Sequence, residues 1–434
     1  MLGGPGDAAR LIAPLEAALA GTGPAVLPVD TGLPAARIAA ILDAFAPGEV
    51  LDDGRAPAAR WSEKGQGVDF DTAVIIATSG TTGAPKGVEL SAAALLASAR
   101  ASLARAGARD GERWLACLPV THVAGLQVLV RSLAGGTRPA VAAVADAGSM
   151  AAAAADGASH VSLVPTQLVR LMGSAAGRQA LAMYASVLVG GAAAGAAALS
   201  AARAAGVRVI TTYGMSETCG GCVYDGVPLD GVSVRTSDDG RLRIAGPVLM
   251  NRYYGQPELT AAALVRCDPG ARTEYPPGPP EGDPGARNAP RLPEVEFVTS
   301  DLGVVGADGI VTVRGRADDV INTGGHKVIP GEVAAALSTC PSVREVVVVG
   351  RADAEWGERV VAVVVPAEGI DPPTLELLRT HVLSALPRYA CPSEVVLVDA
   401  LPALPNGKPD LALLAGHDRW SRPRCGPKSA RTLR

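Results

Sequence analysis

The stretch T-S-G-T-T-G-A-P-K-G, Thr78 to Gly87, packs hydroxyls, glycines and one lysine into ten residues. Gly80 and Gly83 let backbone N–H groups turn inward and approach an anion. Thr78, Ser79, Thr81 and Thr82 add hydroxyl donors, and Lys86 adds positive charge. That chemistry is a polyphosphate cradle; a solvent-exposed Gly/Thr turn is the plainer alternative. A Walker A loop is excluded, because it needs four residues between its first glycine and a Gly-Lys-Ser/Thr end. Five further stretches carry reactive types. Tyr213-Gly214-Met215-Ser216-Glu217 offers a ring able to stack on a purine and a carboxylate suited to Mg²⁺ beside phosphates. Taken singly, Tyr213 reads equally as a core aromatic and Glu217 as a surface charge. Asp301, in T-S-D-L-G, suits the two hydroxyls of a ribose, or is a turn aspartate. Arg316 and Asp318 share G-R-A-D-D, and Lys408 is presented by L-P-N-G-K-P. His122 sits in an apolar turn, P-V-T-H-V-A-G-L, where a satisfied core histidine is the plainer reading.

These residues need elements to position them. The run Ala73 to Thr78 reads as a buried strand, and the residues after Ser91 as a helix with Ser91 as its N-cap, so the cradle reads as a strand–loop–helix unit. Ala8 to Ala20 reads as a helix and P-A-V-L-P-V after it as a strand. From Trp114 to Met215, apolar runs alternate with helical patterns, which predicts a parallel sheet with ligands at the carboxyl ends of its strands. Gly240 to Gly255 alternates with the period of a small antiparallel sheet. The expected fold is therefore α/β: a large N-terminal domain, residues 1–316, of parallel-type sheets with flanking helices plus a small antiparallel sheet. A small α+β domain, residues 317–415, follows it. Residues 267–293, dense in proline, glycine and charge, read as a mobile surface loop, and residues 416–434 as a frayed tail.

The 434 residues are 48% hydrophobic and 19% charged, with a net charge of −4, which gives no hint of a nucleic-acid partner. No apolar run approaches a membrane span, and the N-terminus lacks the pattern of a signal peptide, so a cytoplasmic protein is expected. The seven cysteines are scattered, as reduced thiols are. Cys219 and Cys222 have C-x-x-C spacing, a redox or half-zinc signal without a second pair; two small residues lining a tight turn is the alternative.

In this order, the stretches resemble the motifs of the adenylate-forming superfamily, which includes acyl-CoA synthetases, adenylation domains of peptide synthetases and luciferases. The resemblance runs from about Ala73 to about Leu414. It implies that Thr78 to Gly87 holds the β- and γ-phosphates of ATP. The Gly190-Gly191-Ala192 turn and Tyr213-Gly214 flank adenine. Ser216 and Glu217 approach the phosphates and Mg²⁺, Asp301 and Arg316 bind the ribose, and Asp318 is a hinge about which the small domain swings. Lys408, Glu217 and His122 are the expected catalytic residues, and Gly324 and Gly325 match the loop that faces coenzyme A. Such enzymes are often dimers, so a homodimer is expected too.

Within that superfamily, Tyr213 to Val232 is most similar to the o-succinylbenzoate–CoA ligases of menaquinone synthesis, in the short actinobacterial form. That implies an aryl acid with a second carboxylate. Gly191, Ala192, Gly220 and Gly221 would leave room for its ring, and His122 or Arg131 would donate to its distal carboxylate, although Arg131 reads more simply as a solvated helix residue. Two departures stand out. Only about 77 residues precede the cradle, so part of the usual first subdomain is expected to be trimmed. The aromatic W-x-x-T-G-D pattern before the ribose aspartate is here F-V-T-S-D-L-G. A ligase for a different acid and a non-catalytic nucleotide-binding relative remain as alternatives.

Lys408→Ala is expected to slow adenylation by about 10²–10⁴-fold, as loss of a transition-state charge partner does. Thioesterification of a pre-made adenylate should be far less affected. Single-turnover assays of the two half-reactions check this, and an equal loss in both would sink the assignment.

Overall fold

The computed structural model describes residues 8–48, 50, 67–69, 71–79, 85–267, 295–402, 409–416 and 431–433. Two helices, α1 (Ala8–Leu19) and α2 (Ala35–Phe45), precede β1 (Thr72–Ser79), β2 (Pro85–Ser91) and α3 (Ala92–Ala106). Strands and helices then alternate: β3 (Arg113–Ala116), α4 (Val123–Ala134), β4 (Ala140–Val141), α5 (Ala147–Ala155), β5 (Ala158–Leu163), α6 (Pro165–Met172), α7 (Ala175–Ala182), β6 (Ser186–Gly190), α8 (Ala196–Ala204) and β7 (Val209–Met215). Short elements follow: β8 (Gly220–Tyr224), β9 (Val227–Pro228), β10 (Ser233–Thr236), β11 (Arg241–Ala245), β12 (Arg252–Tyr253), α9 (Pro257–Ala263), β13 (Leu264–Arg266), β14 (Val295–Val305) and β15 (Val311–Arg316). The remainder is β16 (Ile321–Thr323), β17 (His326–Val328), α10 (Pro330–Leu337), β18 (Val343–Asp353), β19 (Gly357–Pro366), α11 (Leu375–Leu383), β20 (Glu394–Leu397), α12 (Leu411–Ala415) and β21 (Arg431–Leu433).

The alternating region forms one seven-stranded sheet, β4-β3-β5-β6-β7-β8-β9. Its first five strands are parallel, and β8 and β9 add antiparallel at one edge. Strands buried on both faces need continuous apolar runs. Val187, Leu188 and Val189 supply one in β6, and Val161 with Leu163 fill β5. All five parallel strands deliver their loops to one edge, where ligand-binding residues of such sheets collect. The small antiparallel sheet is β10-β11-β14-β13 with β15 paired to β14. The last sheet, β17-β16-β19-β20-β21 with β18 on β19, has its own apolar core around Val333, Val360, Val364 and Val395. The expected α/β class, with its parallel sheet, small antiparallel sheet and α+β unit, is what the chain forms. Among the described residues no helix is long and apolar enough to cross a membrane.

Four local expectations change. P-A-V-L-P-V contributes one isolated bridge, Val26 to Val74, because Pro24 and Pro28 cannot donate to a ladder. The cradle is flanked by a strand on each side. β1 and β2 pair antiparallel with Thr78 opposite Lys86 and Ser79 opposite Pro85, so the expected strand–loop–helix unit is a hairpin followed by a helix. Val88 and Leu90, fully buried in β2, supply the alternation that favours the second strand. Ser91 does cap α3, accepting from Ala94 N at 3.1 Å. Within Gly240 to Gly255 only β11 joins the small sheet; β12 pairs with β2, setting Tyr253 opposite Val88. Finally, Arg431–Leu433, inside the segment read as a frayed tail, pairs antiparallel with the open edge of β20. Most of the Pro/Gly-rich segment, from residue 268 onward, lies outside the described residues, as do residues 80–84 and Lys408.

The small sheet is pinned by one buried acid. Glu296 in β14, 1% exposed, takes a two-pronged pair from Arg235 at 2.6 and 2.7 Å and lies 3.6 Å from Arg243. Its removal strands two partly buried cations. Glu296→Ala should therefore lower stability by about 3–5 kcal/mol, read as a drop in urea midpoint without a change in slope.

Candidate active site

The carboxyl edge of the parallel sheet and the hairpin meet at Glu217. This residue sits in a single turn of 3₁₀ helix, Ser216–Thr218, directly after β7. Its Oε1 accepts from Lys86 Nζ at 3.1 Å and from the Tyr253 hydroxyl at 2.9 Å. Lys86 Nζ also lies 3.9 Å from the centre of the Tyr253 ring. The three groups come from β2, the end of β7 and β12, and each contact is one that only this strand pairing permits. Burial and the adjacent carboxylate push the Tyr253 phenol upward, so it stays a donor. Glu217 offers the kind of oxygen Mg²⁺ takes, held on the cradle side with a cation beside it. Mg²⁺ draws the rest of its shell from phosphates and water, so this single carboxylate fits the ion without a protein cage. Among the described residues no group of three or more His, Cys, Asp or Glu side chains could hold a metal ion.

A second cluster lies beside it. The Tyr213 hydroxyl donates to Asp301 Oδ2 at 2.8 Å, joining β7 to β14. Asp301 faces Arg316 across the β14–β15 ladder, with Arg316 Nη1 at 3.7 Å from Oδ1. Arg316 also donates to Asp318 at 3.1 Å. The expected ribose pair and the expected hinge aspartate therefore share one guanidinium. Asp301 N donates to the Thr299 hydroxyl, which donates onward to Leu242 O, so the departure F-V-T-S-D-L-G is tied to β11. Gly190 ends β6 next to β7, Gly191 and Ala192 follow it, and Gly214 and Ser216 flank Met215 at the end of β7, all at the same sheet edge. Thr78 closes β1 opposite Lys86, donating to its carbonyl at 3.1 Å. Ser79 ends the same strand. Gly80, Thr81, Thr82, Gly83 and Lys408 fall outside the described residues.

The acid-side expectations are revised. His122 is the N-cap residue of α4 and is half-buried. Gly220 has φ +95°, and a Cβ there would meet Gln127 Cγ at 3.2 Å; a Cβ at Gly221 would stand 2.8 Å from the Tyr224 ring. Protein already fills the space at both glycines, so neither opens room for a ring, whereas a Cβ at Gly191 would meet, among the described residues, only Val164, at 3.7 Å. Arg131 is not a solvated helix residue. It is 5% exposed, with its guanidinium 4.2 Å from the centre of the Trp114 ring. Nη1 donates to Ser102 at 3.3 Å and Nη2 to Ser162 at 2.8 Å, while Nε has no partner among the described residues. Both acceptors are neutral hydroxyls, and no carboxylate of the described residues pairs with it. Burial draws the guanidinium below the usual arginine range against the pull of Tyr224, but arginine keeps its proton. Burying such a charge costs several kcal/mol. Among the described residues, the buried Oε1 of Gln127, one helical turn earlier on the same face, and the buried Thr121 hydroxyl have no hydrogen-bond partner.

Cys219 and Cys222 are fully buried free thiols, and burial raises both, Cys222 to about 12. Burial disfavours the thiolate that a redox nucleophile needs, and among the described residues no third His, Cys, Asp or Glu joins them into a metal-holding group. Their C-x-x-C spacing reflects a turn in which Cys219 is left-handed, with φ 52°.

Gly324 and Gly325 form the turn between β16 and β17. Gly324, at φ +55°, lies against Trp356, with a Cβ there 2.5 Å from the ring. Trp356 is 54% exposed and Tyr389, stacked on His326 at 4.3 Å, is 43% exposed. Together with Arg359 and Ser393 they line a cleft of about 300 Å³. Gly324 of this turn therefore packs within its own unit, against Trp356. Trp356, Tyr389 and Tyr253 were not singled out in the sequence; the W-G-E after Asp353 and the Y-Y after Arg252 were the available signals.

Residues 46–254 match the AMP-binding enzyme family, and residues 332–408 match the AMP-binding enzyme C-terminal domain. A probable 2-succinylbenzoate–CoA ligase of Mycobacterium tuberculosis is 41% identical over 418 residues, 94% of this chain and 95% of that protein. The 2-succinylbenzoate–CoA ligase of Listeria innocua is 27% identical over 351 residues, 78% of this chain and 68% of that protein. Among solved structures, o-succinylbenzoate CoA synthetase from Bacillus subtilis, in complex with its acyl-adenylate intermediate, is similar with a TM-score of 0.62 and 25% identity, over 80% of this chain and 69% of that one. ATP-bound MatB from Rhodopseudomonas palustris shares the fold at a TM-score of 0.73 and 24% identity, over 91% of this chain and 84% of that one.

The Tyr213–Asp301 bond separates two roles of one side chain. Tyr213→Phe keeps the ring and loses about 1 kcal/mol of hydrogen bonding, so KM for ATP should rise about 5-fold. Tyr213→Leu also removes the stacking face, and KM for ATP should rise about 30-fold or more. Steady-state kinetics at saturating acid distinguish these; identical values for the two variants would deny the ring a part in binding.

Proposed function

This chain belongs to the AMP-binding enzyme family, and from that premise we propose that it is the ATP-dependent ligase that joins o-succinylbenzoate to coenzyme A. The reaction follows the family. A carboxylate oxygen of the acid attacks the α-phosphorus of ATP, pyrophosphate leaves, and an acyl-adenylate results. The thiol of coenzyme A then attacks the acyl carbonyl, the bond to AMP breaks, and the thioester and AMP are released.

In the first half-reaction the protein positions charge and neutralises it. Lys86 faces the phosphates from the hairpin, and Tyr253 holds it against Glu217. Glu217 would hold Mg²⁺, and the ion would supply charge to offset the phosphates. Tyr213 gives adenine a face, and Asp301, oriented by that same phenol and by Arg316, accepts from the ribose hydroxyls. Lys408, by family resemblance, serves the α-phosphate. In the second half-reaction the exposed rings of Trp356 and Tyr389, next to Gly324 and Gly325, give the adenine of coenzyme A a stacking surface. Because Arg316 joins Asp301 to Asp318, a swing about Asp318 would loosen the ribose contact as the small domain turns.

The observation that carries the choice of acid is Arg131, a buried cation with no carboxylate partner among the described residues. A ligand carboxylate would supply the missing counter-charge, and o-succinylbenzoate brings a second carboxylate beyond the one being activated. His122 at the start of α4 and Gly191 at the end of β6 would border the ring. A cytoplasmic setting is supported by the reduced state of the described cysteines.

A coupled pyrophosphate and CoA-thioester assay with ATP and Mg²⁺ tests this, run on o-succinylbenzoate beside benzoate, a medium-chain fatty acid and acetate. Turnover confined to o-succinylbenzoate is the expected result. Arg131→Met should raise KM for that acid by about 10–100-fold with KM for ATP unchanged, the range for losing a charged hydrogen-bond partner. Turnover of a different acid alone would discard the substrate and keep the chemistry.

A further inference from the structure

We propose that Trp114 is a positioning residue that sets acid specificity, holding Arg131 as a cation without neutralising it. The inference rests on the reading of Arg131 as the partner of the second carboxylate. Trp114 is fully buried in β3, and its backbone pairs with His160 of β5 in the parallel ladder. That register stacks the two rings, with centroids 4.9 Å apart and planes at 27°. His160 is itself fixed at both nitrogens, Nδ1 with the Ser186 hydroxyl at 2.8 Å and Nε2 with Glu112 at 3.0 Å. The indole therefore rests on a ring that cannot turn.

The guanidinium then meets an aromatic face at 4.2 Å and two serine hydroxyls. An aromatic face attracts a cation through its quadrupole and leaves the net charge intact. A buried aspartate or glutamate in the same place would satisfy Arg131 internally and repel a ligand carboxylate. Glu112, the acid of this network, is engaged by His160 and by Arg109 N, which donates at 2.9 Å. The arrangement keeps one unit of positive charge fixed in place and uncompensated, as recognition of a second carboxylate requires.

The test compares the full-length protein with Trp114→Leu, Trp114→Phe and Arg131→Met. Two acids are used: o-succinylbenzoate and 3-benzoylpropanoate, which lacks the ring carboxylate. The ratio of their kcat/KM values is the readout, because any unfolded fraction lowers both equally. Trp114→Leu is expected to cut the ratio by about 10–30-fold, Trp114→Phe by less, with KM for ATP unmoved. If Arg131→Met collapses the ratio while both Trp114 variants keep it, the inference is overturned and the reading of Arg131 stands. If Arg131→Met also leaves the ratio unchanged, the reading of Arg131 fails and the inference fails with it.

Discussion

One carboxylate oxygen organises the nucleotide end of this enzyme. Glu217 Oε1 receives the ammonium of Lys86 and the phenol of Tyr253, and its backbone carbonyl receives Met250 N. The hairpin, the end of the parallel sheet and the strand before α9 are thereby fixed to one another. The carboxylate is mostly buried, so its charge must be compensated, and Lys86 compensates it from a position facing the cradle.

Arg131 is held on the opposite principle. Arg131 is as buried as Glu217 but is left with neutral acceptors and an aromatic face. The folded chain bears the cost of that uncompensated charge, which under the proposed function a ligand carboxylate would relieve. Buried charge is therefore distributed along α4 and the sheet edge in two ways. It is paired at Glu217 and, among the described residues, left without a counter-charge at Arg131. Trp114 and His160, neighbours in register, make the second arrangement mechanically firm.

The two clusters join through Tyr213, whose hydroxyl reaches Asp301 in the neighbouring sheet. Asp301 leads through Arg316 to Asp318 at the start of the last unit. Arg314, two residues before Arg316, forms an ion pair with Glu332 of α10. The junction combines these charged contacts with close packing of Arg314 and Gly315 of β15 against Ile329 and Gly331 at the start of α10.

The sequence by itself determined the alternation of strands and helices, the parallel sheet, and the nature of the nucleotide chemistry. Those depend on local periodicity and on residue types at fixed spacing, such as Tyr213 with Glu217 four residues on. Only the tertiary structure decided what each charge meets. Tyr253 reaches Glu217 because β12 pairs with β2, a register between segments far apart in sequence that no local pattern announces. Gly220 and Gly221 looked like open space because a sequence shows the missing side chains and not the Gln127 and Tyr224 that occupy their place. Arg131 read as solvated because its type is usually exposed; its burial depends on α4 lying over β3 and β5, and its lack of a counter-ion on which side chains those strands present. Burial and charge pairing are properties of contacts between distant segments, so they become fixed only when the chain is folded.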